Sequence, residues 1–180
     1  MKEFLERFPK SFFKSIISFD EYSNDNGRKE LDKIFVQSEK LFDNPKPTAL
    51  IKRLIKMVTN KTDALVLDYF AGSGSTGHAV QTLNIEDGGN RKYILCQINE
   101  KTDTTPNGIA YDVTSKRLKR VMTGSCYDGT NDFKWLNDNE PLGGSLDVYE
   151  IASVSNAEQV AGKTAFDVID ETLYGKDKFI

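Results

Sequence analysis

The chain has 180 residues, 38% of them apolar and 28% charged, with a formal net charge of −3. A chain of this length buries a core of its own, its apolar runs fall short of the ~18 residues of a membrane span, and the acid-bearing residues 1–7 show no signal peptide. Two cysteines and one histidine without ligand spacing argue against a disulfide framework and a metal cluster. Cys96, inside an apolar run, reads as a reduced core thiol, and so the sequence predicts a cytoplasmic protein. The charge is uneven, because residues 125–180 carry 11 acids against 4 bases. Any contact with nucleic acid is therefore expected in the first two-thirds.

Up to residue 45, short apolar pairs such as Phe12-Phe13 and Ile16-Ile17 alternate with a polar turn at Asn24-Asp25-Asn26-Gly27. That stretch reads as a leader that packs against something outside this chain. A helix follows Pro47. Leu50, Ile51, Leu54, Ile55 and Val58 recur at helical spacing and predict one buried stripe, with Lys52, Arg53 and Lys56 as solvated charge away from it. Ala64-Leu65-Val66-Leu67 reads as a buried strand ending at Asp68. Residues 71–77 form a glycine-rich loop, 76–83 a helix, 86–90 a turn and 93–98 a second buried strand. A loop over 103–108 leads to a helix over 114–123 that turns Leu118, Val121 and Met122 inward. Strand, helix, strand and helix of these lengths predict a βαβ unit with a right-handed crossover and a parallel sheet, an α/β fold. Beyond it, 146–151 alternates like a half-exposed strand and 165–174 reads as a short acidic helix. The organisation is thus a leader over 1–45, a sheet domain over 46–124 and an acidic appendage over 125–180.

Three ligand classes compete for the strand–loop–helix around Gly72. A triphosphate loop needs Lys followed by Ser or Thr after its last glycine, but His78-Ala79 stands there, which removes the cation. A dinucleotide loop needs G-x-G-x-x-G, and Gly72, Gly74 and Gly77 match it. Asp68, however, is a poor neighbour for a diphosphate. A ligand with a cationic group suits Asp68 better, and S-adenosylmethionine has an ammonium and a sulfonium for it to meet. Bracing the loop is the structural alternative for Asp68.

Asp68-x-Phe70-x-Gly72-Ser73-Gly74-x-Thr76 resembles the S-adenosylmethionine-binding motif of amino-methylating DNA methyltransferases. The fuller string from Phe70 to Val80 resembles the modification subunit of type III restriction–modification systems. Phe42-Asp43-Asn44-Pro45-Lys46-Pro47, followed by Leu50 and Ile51, is similar to the Lys-Pro motif of those members whose catalytic block precedes the cofactor block. Glu140 to Tyr149 also resembles the C-terminal region of that subunit. The resemblance covers residues from about 16 to 180. It implies a partial Rossmann-like, S-adenosylmethionine-dependent methyltransferase fold with a small C-terminal appendage, in which 1–45 is the end of the target-recognition region. Carried over by position, Asp68 meets the methionine amine. Phe70, Ala71, Gly72, Ser73, Gly74 and Thr76 shape the cofactor cradle, while Lys46 and Pro47 line its methionine end. Gln97 occupies the usual place of the ribose-binding acid, and Glu100 follows three residues on, so either is the candidate ribose contact. His78 reads as helix packing.

The resemblance further implies methyl transfer to adenine N6 in double-stranded DNA, a restriction subunit as partner, and homodimer formation. That chemistry uses a (D/N/S)-P-P-(Y/F/W) loop that holds a flipped base, and this sequence has no adjacent prolines. The expectation is a cofactor-binding half that is catalytically incompetent alone, or active with a separately encoded N-terminal half. Two other readings stay open: a non-catalytic cofactor-binding or assembly remnant of a restriction complex, and an NAD-dependent oxidoreductase.

Overall fold

A computed structural model describes residues 20–35 and 41–151. Helix α1 (Asn24–Ile34) begins in a stretch whose composition favours a turn. Ser23 caps it by accepting a hydrogen bond from the Asn26 amide at 3.3 Å. Gly27, Leu31 and Ile34 form its buried stripe, and that burial overrides the low helix propensity of Asn, Asp and Gly. The turn expected over 24–27 is therefore the first turn of a helix. This part of the expected leader also finds its partners within the chain, because Leu31, Ile34 and Phe35 enter the main core with Val113, Leu118 and Val121.

A Cβ on Gly27 would stand 2.0 Å from the Pro45 carbonyl oxygen. Gly27→Ala is accordingly expected to push α1 off its seat and to destabilise the fold by about 1–3 kcal/mol. A chemical denaturation midpoint equal to wild type would refute that close seating.

Helix α2 (Thr48–Val58) starts after Pro47, as its sequence predicts. Only half of its expected stripe is realised. Ile51 and Ile55 join Val80 and Leu83 in a second core cluster, whereas Leu54 and Val58 are exposed. The helix packs on the helix over Ser75–Asp87 and on a short 3-10 turn, Asp20–Tyr22, and is not enclosed all round. Lys52 and Lys56 are not free charges, since both pair with Glu86, Lys56 at 3.1 Å.

Strands β1 (Leu65–Asp68) and β2 (Lys92–Leu95) are parallel, with Leu65 opposite Lys92 and Leu67 opposite Ile94. Helix α3 (Ser75–Asp87) connects them and runs four residues beyond the expected end at 83. Two hydrogen bonds from Arg91 to Asp87, at 2.9 and 2.8 Å, fasten that extra turn to the start of β2. Both strands were expected to be buried, but they alternate exposed and half-buried. Val66 and Tyr93 pack toward α2 and α3, while Leu65, Leu67 and Ile94 are exposed on the other face. Parallel sheets normally have both faces covered. Among the described residues this one is covered on one.

After β2 the chain loops to a π-helical turn (Ala110–Ser115) that runs directly into α4 (Lys116–Thr123). Leu118, Val121 and Met122 face inward as expected. Phe133 and Trp135, around a 3-10 turn at Lys134–Asn137, close the main core. Cys126 is the buried thiol, whereas Cys96, the expected core cysteine, is half-buried beside the open end of the sheet. The chain forms two compact units, Met1–Leu146 and Asp147–Ile180. Of the second, residues 147–151 are described and have no regular structure. The strand expected over 146–151 does not form there, because an alternating pattern needs a partner strand for its backbone groups and none pairs with it among the described residues. The helix expected over 165–174 lies outside the described residues. No helix among the described residues is long and apolar enough to cross a membrane.

Candidate functional site

The glycine loop leaves the tip of β1 and enters α3. Asp68 ends the strand, half-buried, and its two carboxylate oxygens divide their work. Oδ1 accepts the Phe70 amide at 3.0 Å, and Oδ2 accepts the Thr76 hydroxyl at 2.5 Å. Asp68 therefore braces the loop, yet each oxygen has lone-pair capacity left for a ligand cation. Gly72 and Gly74 have φ of +51° and +78°, the left-handed region that a side chain disfavours. A Cβ at Gly72 would also lie 2.7 Å from the Phe42 ring, and one at Gly74 3.2 Å from Thr114.

Ala71 donates its amide to the Cys96 carbonyl at 3.0 Å, and the Gly72 amide donates to the Gln97 side chain at 2.8 Å. Gln97 thus holds the loop against the end of β2. Phe70 is 85% exposed, its ring standing clear of the core. Ser73 and Thr76 are buried behind it. Lys46 meets the loop through its backbone, whose carbonyl accepts the Ser75 hydroxyl at 2.5 Å, while its ammonium donates to Asn24 at 2.8 Å. Pro47 is buried at the start of α2. Glu100 is exposed beyond β2, where its carbonyl accepts the Ile109 amide at 3.0 Å. No described contact links its side chain to the loop.

Sequence reasoning missed the groups beneath the loop. Arg117 is fully buried, and one terminal nitrogen donates to the Ser73 and Ser75 hydroxyls at 3.1 and 2.8 Å. Its other terminal nitrogen pairs with the carboxylate of Glu30 and lies 3.2 Å from His78 Nδ1. Glu30 in turn accepts the Thr48 amide at 3.0 Å and the Thr48 hydroxyl at 2.9 Å. Thr114 donates its hydroxyl to the Gly72 carbonyl at 2.6 Å. A signal existed in the sequence, since Glu30 and Arg117 each interrupt an apolar stripe of their helices with opposite charge. Two such interruptions point to a buried pair.

His78 is buried, as helix packing predicts, but within this polar cluster and edge-on to Trp135. Burial pushes its pKa below the ordinary 6.5, with the Arg117 charge acting the same way and the Glu30 hydrogen bond opposing. Burial alone would raise Glu30, but the His78 hydrogen bond and the Arg117 charge outweigh it and hold the group at about 2. Both folded-state values lie below the unfolded ones, so the folded protein takes up fewer protons as pH falls. Stability is therefore expected to be highest above pH 6.5, to decline below it as His78 protonates in the unfolded chain, and to fall further from 4.5 toward 2 through Glu30. Thermal unfolding across pH checks this. His78→Gln should flatten the upper part of the profile, and an unaltered profile would remove His78 from the account.

The segment from Asp68 to Gly74 thus brings together a carboxylate, close-approach backbone and an exposed aromatic ring. These suit a small ligand that carries a cationic group and a flat apolar surface. Residues 6–104 match the N6/N4 methyltransferase family model, described as DNA methylase. The chain is 45% identical over 105 residues to the type III restriction-modification enzyme StyLTI Mod subunit of Salmonella typhimurium, covering 55% of this chain and 16% of that protein. It is 39% identical over 127 residues to the EcoPI Mod subunit of Escherichia phage P1, covering 67% and 19%. It is 42% identical over 114 residues to the type II methyltransferase M.KpnI of Klebsiella pneumoniae, covering 59% and 25%. The chain spans a quarter or less of the length of each of these relatives.

Proposed function

The chain belongs to the DNA methylase family, and from that membership we propose that it is the S-adenosylmethionine-binding part of an adenine-N6 DNA methyltransferase of the type III modification-subunit kind. The observation that carries this reading is the brace at the end of β1. A half-buried carboxylate, two left-handed glycines and an exposed phenylalanine stand together between Asp68 and Gly74.

The residues present fit the cofactor. Asp68 would take the methionine ammonium, the backbone from Ala71 to Gly74 would lie close along the ligand, and Phe70 would offer its ring to the adenine. Thr76 holds one oxygen of the Asp68 carboxylate through its hydroxyl. Lys46 and Pro47 contribute backbone shape at the far side, and Gln97 holds the ribose side of the loop, with Glu100 near the end of the same segment. When bound, S-adenosylmethionine supplies an electrophilic methyl group. This chain's part is to hold and orient that group.

In this reading the fold is one portion of a Rossmann-like sheet, with 46–124 as its cofactor-binding part. The exposed face of Leu65, Leu67 and Ile94 is where a polypeptide bearing the Pro-Pro-aromatic loop packs, in line with the need of a parallel sheet for two covered faces. Double-stranded DNA, a restriction subunit and a homodimeric arrangement belong to that larger assembly.

Calorimetric titration of the chain with S-adenosylmethionine, with NAD as control, tests the reading. Saturable binding of the first ligand alone is expected, without methyl transfer to duplex DNA until a polypeptide with the missing loop is added. Binding of NAD in place of S-adenosylmethionine would replace this reading with an oxidoreductase one. Binding of neither would leave the assembly remnant as the function.

A further inference from the structure

The glycine loop is not held by its own segment alone. Arg117 lies 42 residues beyond Ser75 and 87 beyond Glu30. Its guanidinium reaches both, together with Ser73 and His78. The same arginine reaches the Pro47 segment by two routes. Through Glu30 it connects to the Thr48 amide and hydroxyl, and through Ser75 to the Lys46 carbonyl. One turn earlier, Thr114 closes on the Gly72 carbonyl at 2.6 Å. Thr114 lies in the π-helical turn, and Arg117 follows within the first turn of α4. A widened turn of this kind re-aims the side chains around it and recurs at functional sites. Both residues lie outside the matched stretch 6–104.

From this we infer that Arg117, with Thr114 and Glu30, is a positioning group that presets the glycine loop and the Lys46–Pro47 segment in their ligand-competent arrangement. The inference rests on the cofactor reading for its ligand, but not for its structural content. A buried arginine has three tasks here that only its planar fork performs together: opposing Glu30, donating to two serine hydroxyls, and filling the space under the loop. Without it, the Ser73 and Ser75 hydroxyls lose their shared guanidinium donor, and Ser75 keeps its bond to the Lys46 carbonyl. The loop then samples other conformers, and apparent affinity drops by the fraction of time it is competent.

The test compares wild type, Glu30→Gln/Arg117→Met and Arg117→Lys, using hydrogen exchange of residues 71–76 and titration with S-adenosylmethionine. The double variant removes both charges, so no unpaired ion remains in the core. It is expected to keep its helical circular dichroism while the loop amides exchange faster than those in the second half of α3. Its affinity should drop by about tenfold, as for a loop that is competent about a tenth of the time. Arg117→Lys keeps a charge opposite Glu30 but cannot span both serines. A merely structural ion pair would be rescued by it, whereas a positioning role predicts that fast loop exchange persists. Loop exchange and affinity equal to wild type in a folded double variant would overturn the inference, as would full rescue by lysine. If the double variant does not fold, Ser75→Ala decides, with faster loop exchange expected and unchanged exchange overturning the inference. Should wild type bind no S-adenosylmethionine, the cofactor reading fails by itself, and the exchange comparison still decides the clamp.

Discussion

Arg117→Met by itself is expected to destabilise the protein by about 3–5 kcal/mol, the usual cost of breaking a buried ion pair by removing one partner. At about 2–4 °C per kcal/mol for a domain of this size, that is a large drop in Tm. The magnitude follows from burial. Arg117 is wholly enclosed, and the Glu30 side chain is mostly enclosed. Removing the cation leaves a carboxylate in the core with only Thr48 and His78 to face it. Burial pushes the arginine's own pKa down while Glu30 opposes, yet arginine stays protonated at any working pH. The wild-type pair therefore does not neutralise itself by losing that proton. Two further outcomes are expected. The loss should shrink at low pH, where Glu30 in the variant takes up a proton, and Glu30→Gln in the same chain should restore part of the stability. A single variant that melts with wild type would mean that the pair carries no net weight.

Asp68→Ala is expected to weaken S-adenosylmethionine binding by about 2–5 kcal/mol, the range for truncating one member of a buried, hydrogen-bonded charge pair. At about 1.4 kcal/mol per tenfold, that is a loss of about 30-fold or more in a calorimetric titration. The carboxylate has two roles, and a second variant separates them. Asp68→Asn keeps an acceptor for the Phe70 amide and a side chain of the same shape, but loses the charge. If the charge meets a ligand ammonium, the asparagine variant loses most of the affinity while its melting temperature changes little. If Asp68 only braces the loop, the asparagine variant binds as wild type does, and the cationic-ligand assignment fails at that residue.

The β1–loop–α3 unit was legible in the sequence because its signals are local. A short apolar run, an aspartate, closely spaced glycines and then a helix-compatible stretch determine backbone geometry within a few residues. The helix after Pro47 and the inward face of Leu118, Val121 and Met122 were legible for the same reason. Helix α1 was not. Asn24, Asp25, Asn26 and Gly27 favour a turn locally, and only the burial of Leu31 and Ile34 against α4 and Trp135 tips the balance to a helix. Strand burial was misjudged for a related cause. Apolar composition reports a preference for being covered, and whether a face is covered depends on what packs there. Leu65, Leu67 and Ile94 have no cover among the described residues.

The sequence settled which chemistry stands at the loop: Asp68 at a strand tip, glycines where backbone must come close, and a phenylalanine between them. Covalent neighbours and turn preferences suffice for that. How the loop is held was decided by the tertiary structure. Gln97 meets Gly72, Thr114 meets Gly72 from the other side, and Glu30 meets Arg117 beneath. These residues are far apart along the chain. A buried charge finds its partner through the packing of α1 against α4, which no local pattern of residues specifies.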